Sequence, residues 1–125
     1  MTMILILGGP KSGKSTTAKA LGKKHGITPR HFDDLLPNRE WSEVSDLAAA
    51  ELDEPAPWIK EGVAGARALR KWLKLNPGKV PPFEIKILKE THGELGMGQK
   101  IMHKGTHTII RECMLEVEKR KNANK

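Results

Sequence analysis

Eight residues near the start of the chain limit its folding more than any other feature. Gly8-Gly9-Pro10-Lys11-Ser12-Gly13-Lys14-Ser15 separates two segments of different character. Before it, Met3 to Leu7 (Met-Ile-Leu-Ile-Leu) is apolar without alternation, the pattern of a strand covered on both faces within a parallel sheet. After it, Lys14 to His25 carries Ala18 and Leu21 at helical spacing, and Gly26 follows as a C-terminal stop. A buried strand, a glycine-rich turn and a helix in succession point to a parallel sheet with helices packed on its faces.

The turn carries chemistry as well as shape. It matches G-x-x-x-x-G-K-[ST], the P-loop signature, in full. Glycines permit backbone conformations that turn successive N–H groups inward as a nest for anions. A helix opening near Lys14 adds the positive end of its dipole. Lys14 is the expected contact of β- and γ-phosphates, the Ser15 hydroxyl the expected ligand of Mg²⁺, and Thr16 the expected neighbour of the α-phosphate. Gly8, Gly9, Pro10, Lys11, Ser12, Gly13, Lys14, Ser15 and Thr16 are thus the expected ATP site, with Mg²⁺ as cofactor.

The remaining pattern extends this unit to a small domain. Pro29 to Asp34 reads as a second strand ending in two carboxylates, and Trp41 to Leu52 as a helix capped by Asn38 and closed by Pro55 and Pro57. Trp58 to Val63 is expected as a third strand, Ala64 to Leu75 as a helix stopped by Asn76-Pro77-Gly78, and Phe83 to Leu88 as a fourth, alternating strand nearer an edge. Thr91 to Gly98 reads as a loop. A final helix bears an apolar stripe of Ile109, Ile110, Cys113, Met114 and Val117, and Lys119 to Lys125 is a polar tail expected to fray. The expectation is one α/β domain over 1–125, three-layered, with about four parallel strands and helices on both faces. The single cysteine, Cys113, suits a reducing compartment, and no apolar run reaches the ~18 residues of a membrane helix, so a cytoplasmic protein without a membrane partner is expected.

Charge divides the chain. Residues 1–62 carry 8 Lys/Arg against 9 Asp/Glu, a net −1, and residues 63–125 carry 14 against 6, a net +8. Within the basic half, Arg67, Arg70, Lys71 and Lys74 recur at i, i+3, i+4 and i+7 and share one helical face. Such a row is either the wet face of an amphipathic helix or a grip for phosphates of an acceptor or a nucleic-acid strand. Lys100, His103, Lys104 and His107 also recur at helical spacing and could close over a nucleotide as a lid. The three tryptophans, Trp41, Trp58 and Trp72, read as core or cleft-lining residues.

The motifs also carry a family resemblance. The chain has no Asn-Lys-x-Asp element of the kind with which GTPases read guanine. Its third strand ends in Lys60-Glu61-Gly62, and such an ending resembles P-loop kinases of small molecules, such as the uridine kinase and phosphoribulokinase group. Phe32-Asp33-Asp34-Leu35 resembles the acidic turn after the second strand in shikimate kinase, gluconate kinase and zeta-toxin-like kinases. The segments 57–63 and 67–73 are similar to small phage- and prophage-encoded P-loop ATPases. The resemblance implies strand order 2-3-1-4, with Glu61 at the magnesium or its waters, Asp34 as the base of the acceptor hydroxyl, Asp33 as its support and Arg67 on the acceptor. With Lys14, Asp34 and Glu61 form the implied catalytic set. The implied activity is transfer of the γ-phosphoryl group of ATP to a small hydroxyl or phosphate acceptor resembling a nucleoside or nucleotide. The alternative is an ATP-binding protein that acts on nucleic acid through its basic half. Two departures stand out: nucleoside monophosphate kinases have an arginine where this chain has Gly65, and their lid carries paired arginines absent between Thr91 and Thr108.

Overall fold

The computed structural model describes residues 1–35 and 37–123; Leu36, Asn124 and Lys125 lie outside the described residues. The element order is β1 (Met3–Gly8), α1 (Lys14–His25), β2 (Arg30–His31), a 3₁₀ turn (Phe32–Leu35), α2 (Trp41–Glu51), β3 (Trp58–Glu61), α3 (Gly65–Leu75), β4 (Glu84–Leu88) and α4 (Met97–Ala123). The strands form a four-stranded sheet in the order β2-β3-β1-β4, and every pairing is parallel. This is a three-layer α/β domain, as the alternation of elements predicts.

The layers are unequal. On one face Ala18 of α1 packs with Ile4, Ile6 and Ile59, and Leu21 and Ile27 flank them. On the other face Leu5 and Leu7 of β1 enter the main core, which takes Val44 and Ala48 from α2, Leu69 and Trp72 from α3, and Ile110, Cys113 and Val117 from α4. The unalternated apolar run of β1 is explained by this: odd and even residues each meet a helix layer. Phe83 enters the core between two tryptophans, with ring centroids 5.6 Å from both Trp58 and Trp72. Burying each such ring stabilises the fold by about 1.5–3 kcal/mol.

Several boundaries differ from the sequence expectation, each for a physical reason. The second strand is only Arg30–His31, because the chain turns into a 3₁₀ helix at Phe32. Helix α2 has Glu40, not Asn38, at its N-cap position, without a side-chain bond. Asn38 instead takes φ 63° in the turn before it, a backbone region that Asn tolerates better than most residues. Helix α4 starts at Met97, inside the expected loop, and runs unbroken for 27 residues, about 40 Å at 1.5 Å per residue.

The tail expected to fray from Lys119 is the last part of α4 through Ala123. Arg120 secures it: the guanidinium donates to the carbonyls of Leu73, Asn76 and Lys79 at 2.8–2.9 Å and to Glu116. It thereby caps the carbonyl end of α3 with a cation, favourable for both hydrogen bonding and the helix dipole. Lys60 is a further surprise, a lysine with no exposure in a central strand. Its ammonium donates to the Glu51 carbonyl and lies 3.2 Å from Glu54, and it sits over the Trp58 ring at 4.9 Å. Burial holds its pKa below the usual lysine value, against the pull of Glu54 and Glu51. Among the described residues no helix is long and apolar enough to cross a membrane.

Candidate functional site

Strand β1 delivers the chain into the glycine-rich loop at the carboxyl edge of the sheet, where open α/β sheets place their ligand sites. The loop closes tightly on itself. A Cβ added at Gly8 would stand 2.5 Å from Ser12 Oγ and 3.1 Å from the Leu88 carbonyl oxygen. Gly13 takes φ 86° at the N-cap position of α1, a left-handed conformation that glycine adopts without strain. From there the helix begins at once, the Thr17 N–H donating to the Gly13 carbonyl at 2.9 Å. The outer side of the loop is tied down by the segment before α4: the His92 N–H donates to the Lys11 carbonyl at 2.7 Å, and Lys11 Nζ to the Glu94 carbonyl at 2.7 Å.

Lys14 is 7% exposed and folds back over the loop. Its ammonium donates to the Gly9 carbonyl at 2.6 Å and to Ser12 Oγ at 3.3 Å. Burial lowers its pKa from the usual lysine value, while the carboxylates of Glu61 and Asp33 pull it back up. A desolvated ammonium whose contacts are weak neutral acceptors is prepared to exchange them for a stronger anionic partner.

Glu61 closes β3 and is 2% exposed. One carboxylate oxygen accepts from Ser15 Oγ at 3.3 Å and pairs with His31 Nδ1 at 2.5 Å. The sheet register sets this up, because Glu61 lies opposite His31 on one side and Ile6 on the other. The following residue, Gly62, has φ 148°. A Cβ there would lie 2.9 Å from Phe32 Cβ and 3.2 Å from Asp33 Oδ1, so only glycine lets β3 end beneath the acidic turn.

A cavity of about 360 Å³ brings the expected residues together: Pro10 to Thr16, Asp33, Glu61 and Val63 line it. A second, about 580 Å³, adjoins it across the start of α1, lined by Ser12, Gly13, Thr16, Thr17, Ile87 to Glu90, and His92. Of the two acidic-turn residues Asp33 faces the loop cavity, and Asp34 is not among its lining residues. The carboxylate expected as support, not the one expected as base, is thus the one at this cavity. Arg67 is not there either. Its guanidinium lies 4.9 Å over the Trp41 ring, in a separate cavity between α2 and α3.

Two residues stand elsewhere than spacing implied, His31 with no role expected and His103 with a different one. His31 was only one residue of an expected strand, and its pairing with Glu61 follows from strand register. His103 was expected in a mobile lid, yet α4 packs it directly behind the loop: a Cβ on Gly9 would meet His103 Nδ1 at 2.6 Å and its Cα at 3.2 Å. The His103 and His107 rings meet at a tilt of 52° with centroids 4.4 Å apart, and their Nδ1 and Nε2 atoms, respectively, are buried without a hydrogen-bond partner among the described residues. Burial, and then the nearby His103, Lys89, Arg111 and Lys14, lower the pKa of His107 below the usual histidine value.

No protein-family model, no curated protein and no solved structure matches this chain.

Proposed function

We propose that the chain binds ATP with Mg²⁺ at Gly8 to Thr16 and transfers the γ-phosphoryl group to a small hydroxyl or phosphate acceptor of nucleoside or nucleotide type. The observation that carries this reading is Lys14, buried on the loop G-x-x-x-x-G-K-S with its ammonium held by the Gly9 carbonyl and Ser12. In this reading the ammonium leaves those acceptors for the β- and γ-phosphates, and the loop amides take the remaining phosphate oxygens. The cavity beside Thr16, Thr17 and His92 offers about 580 Å³ for the nucleoside end. It holds no guanine-reading element, so ATP should be favoured over GTP only weakly.

The Ser15 hydroxyl and the Glu61 carboxylate, 3.3 Å apart, suit Mg²⁺, a hard cation that takes one or two protein oxygens beside phosphate and water. Bound there, it would neutralise charge on the β- and γ-phosphate oxygens. His31 keeps Glu61 oriented towards Ser15. Asp33 is the carboxylate facing the same cavity, and we assign it the acceptor side. The acceptor oxygen forms its bond to the γ-phosphorus as the bond to the β–γ bridging oxygen breaks. ADP leaves with that electron pair, and the acceptor proton passes to Asp33.

The test is calorimetry with a non-hydrolysable ATP analogue, with and without Mg²⁺, followed by ATP consumption against nucleosides, nucleotides and 5′-hydroxyl oligonucleotides. Mg²⁺-dependent binding and consumption that requires one acceptor class are expected. No binding would refute the nucleotide site; binding without any acceptor-dependent consumption would refute transfer.

A further inference from the structure

The row of cations on α3 does not lie on an open helix face. Arg67, Arg70, Lys71 and Lys74 form one wall of a cavity of about 520 Å³ whose other wall is Trp41, Ser42, Ser45 and Asp46 of α2, with Met102 of α4 at its end. None of these residues lines either cavity at the glycine-rich loop. Within the groove lining, four cations face one carboxylate, Asp46, which pairs with Lys71 at 3.2 Å; Arg70 and Lys74 also border a neighbouring cavity that holds Glu112 and Glu116. Arg70 and Lys74 have no ion pair among the described residues.

Three properties narrow the ligand. The cations repeat along a line from Arg67 to Lys74, about 10 Å of helix at 1.5 Å per residue. A stacked nucleic-acid strand carries one phosphate per ~3.4 Å, so that line spans roughly three nucleotide steps. Trp41 is 36% exposed at the groove wall, whereas Trp58 and Trp72 are each 4% exposed in the core. Arg67 over its ring fixes the indole in place. A positively charged groove with an aromatic platform is the recurring arrangement for single strands, since every base offers a face for stacking. The site is concave, which disfavours a flat bilayer surface, and an acidic peptide would leave the indole unused.

We propose that the groove between α2 and α3 binds single-stranded nucleic acid, with phosphates along Arg67, Arg70 and Lys74 and a base against Trp41. The site is separate from the proposed nucleotide site and does not depend on it.

Fluorescence anisotropy of a labelled twelve-nucleotide oligo-dT, titrated with the intact chain in the absence of ATP, tests this. Three to four phosphate contacts at ~0.7 each give a slope of about −2 to −3 in log affinity against log salt, roughly a twenty- to fiftyfold loss between 50 and 200 mM. The double variant Arg70→Gln/Lys74→Gln should flatten that slope by about 1.4, and Trp41→Ala should weaken binding on the order of tenfold. In the native chain the oligonucleotide should quench tryptophan fluorescence, and in Trp41→Phe that quenching should be lost. Lys14→Met should bind the oligonucleotide as the native chain does, while the double variant should keep its ATP affinity. Circular dichroism checks that all the variants fold; Trp41, Arg70 and Lys74 are on the surface, so substitutions there are expected to be tolerated. Absence of binding at 50 mM salt would overturn the proposal, as would competition by polyglutamate equal to that by unlabelled oligo-dT. Loss of oligonucleotide binding in Lys14→Met with the double variant unaffected would place the strand at the glycine-rich loop instead, and also overturn it.

Discussion

Lys14→Met separates binding from stability more cleanly than any other substitution at the proposed nucleotide site. Methionine keeps most of the lysine volume in a position that is 7% exposed. It removes the ammonium that now donates to the Gly9 carbonyl and Ser12 Oγ. In the ligand-free chain two opposing effects follow. The buried Gly9 carbonyl loses a charge-assisted partner, costing about 1.5–3 kcal/mol. The chain also no longer buries an ammonium whose pKa is depressed mainly by desolvation, and replacing buried charges by apolar groups of similar volume is often neutral or stabilising by about 1–4 kcal/mol. The net change in stability should therefore be small, about 1 kcal/mol in either direction. Nucleotide binding has no such offset, because only the native ammonium meets the β- and γ-phosphates. A loss of at least ~2 kcal/mol, about thirtyfold in affinity, is expected. Calorimetry with the non-hydrolysable ATP analogue reads the affinity, and urea unfolding of the ligand-free chain reads the stability. Affinity within threefold of native, in a variant shown to be folded, would falsify the assignment of the loop as a phosphate site.

The other predictions address the acceptor side, a buried cation and the histidine pair. Asp33→Asn should lower turnover on the true acceptor by ~10²–10⁴ with ATP affinity retained, and Asp34→Asn should do far less; the reverse ranking in a steady-state assay would return the base to Asp34. Lys60→Ala should destabilise the fold by about 2–4 kcal/mol, through the lost contacts to Glu51 and Glu54 and the void in β3. Lys60→Met should cost much less, and equal losses for the two in urea titrations would count against this account of the buried amine. His107 has a lowered folded-state pKa, so below its unfolded value of ~6.5 the unfolded chain binds a proton that the folded chain resists. Stability should thus be flat above pH ~6.5, fall as pH drops below it, and level once the folded-state value is passed. His107→Gln should shrink that fall between pH 7.5 and 5.5, and an unchanged pH profile would show that other groups produce it.

How much of this was legible in the sequence depended on whether the cause was local. The loop, the helix from Lys14 to His25 and the alternation of strands with helices are encoded within short windows, by glycine spacing and apolar periodicity, whereas the strand order β2-β3-β1-β4 was expected only from the family resemblance. The stop at Gly26 is equally local, its N–H donating to the Gly22 carbonyl as the helix ends. The pairing of His31 with Glu61 is not local: it depends on which residues face each other across two parallel strands, and a shift by one position would remove it. Which of Asp33 and Asp34 lines the loop cavity was illegible for a similar reason. Both are acidic and adjacent within one 3₁₀ turn, Asp33 lines the loop cavity, and Gly62 makes room for that turn from thirty residues later.

The basic helix shows the same limit from the opposite side. Spacing alone gave Arg67, Arg70, Lys71 and Lys74 a common face, and a common face on an isolated helix is most economically a wet one. What turns it into a groove is the second wall, from α2, where Trp41 was expected as core or cleft-lining but without a link to α3. Trp41 opens α2, and α3 sets Arg67 over its ring. The two sites then draw on different parts of the same fold. The proposed nucleotide site would use backbone amides at the carboxyl edge of the sheet, where geometry is fixed by β1. The α2–α3 groove uses long side chains on the helical layer, where charge is repeated and geometry is loose. A fixed nest suits one phosphate group held for chemistry, and a repeated cationic wall suits a polymer that can settle in several registers. If both sites are occupied together, salt should weaken the groove steeply and the loop only slightly, because few counterions are released from a single buried anion site.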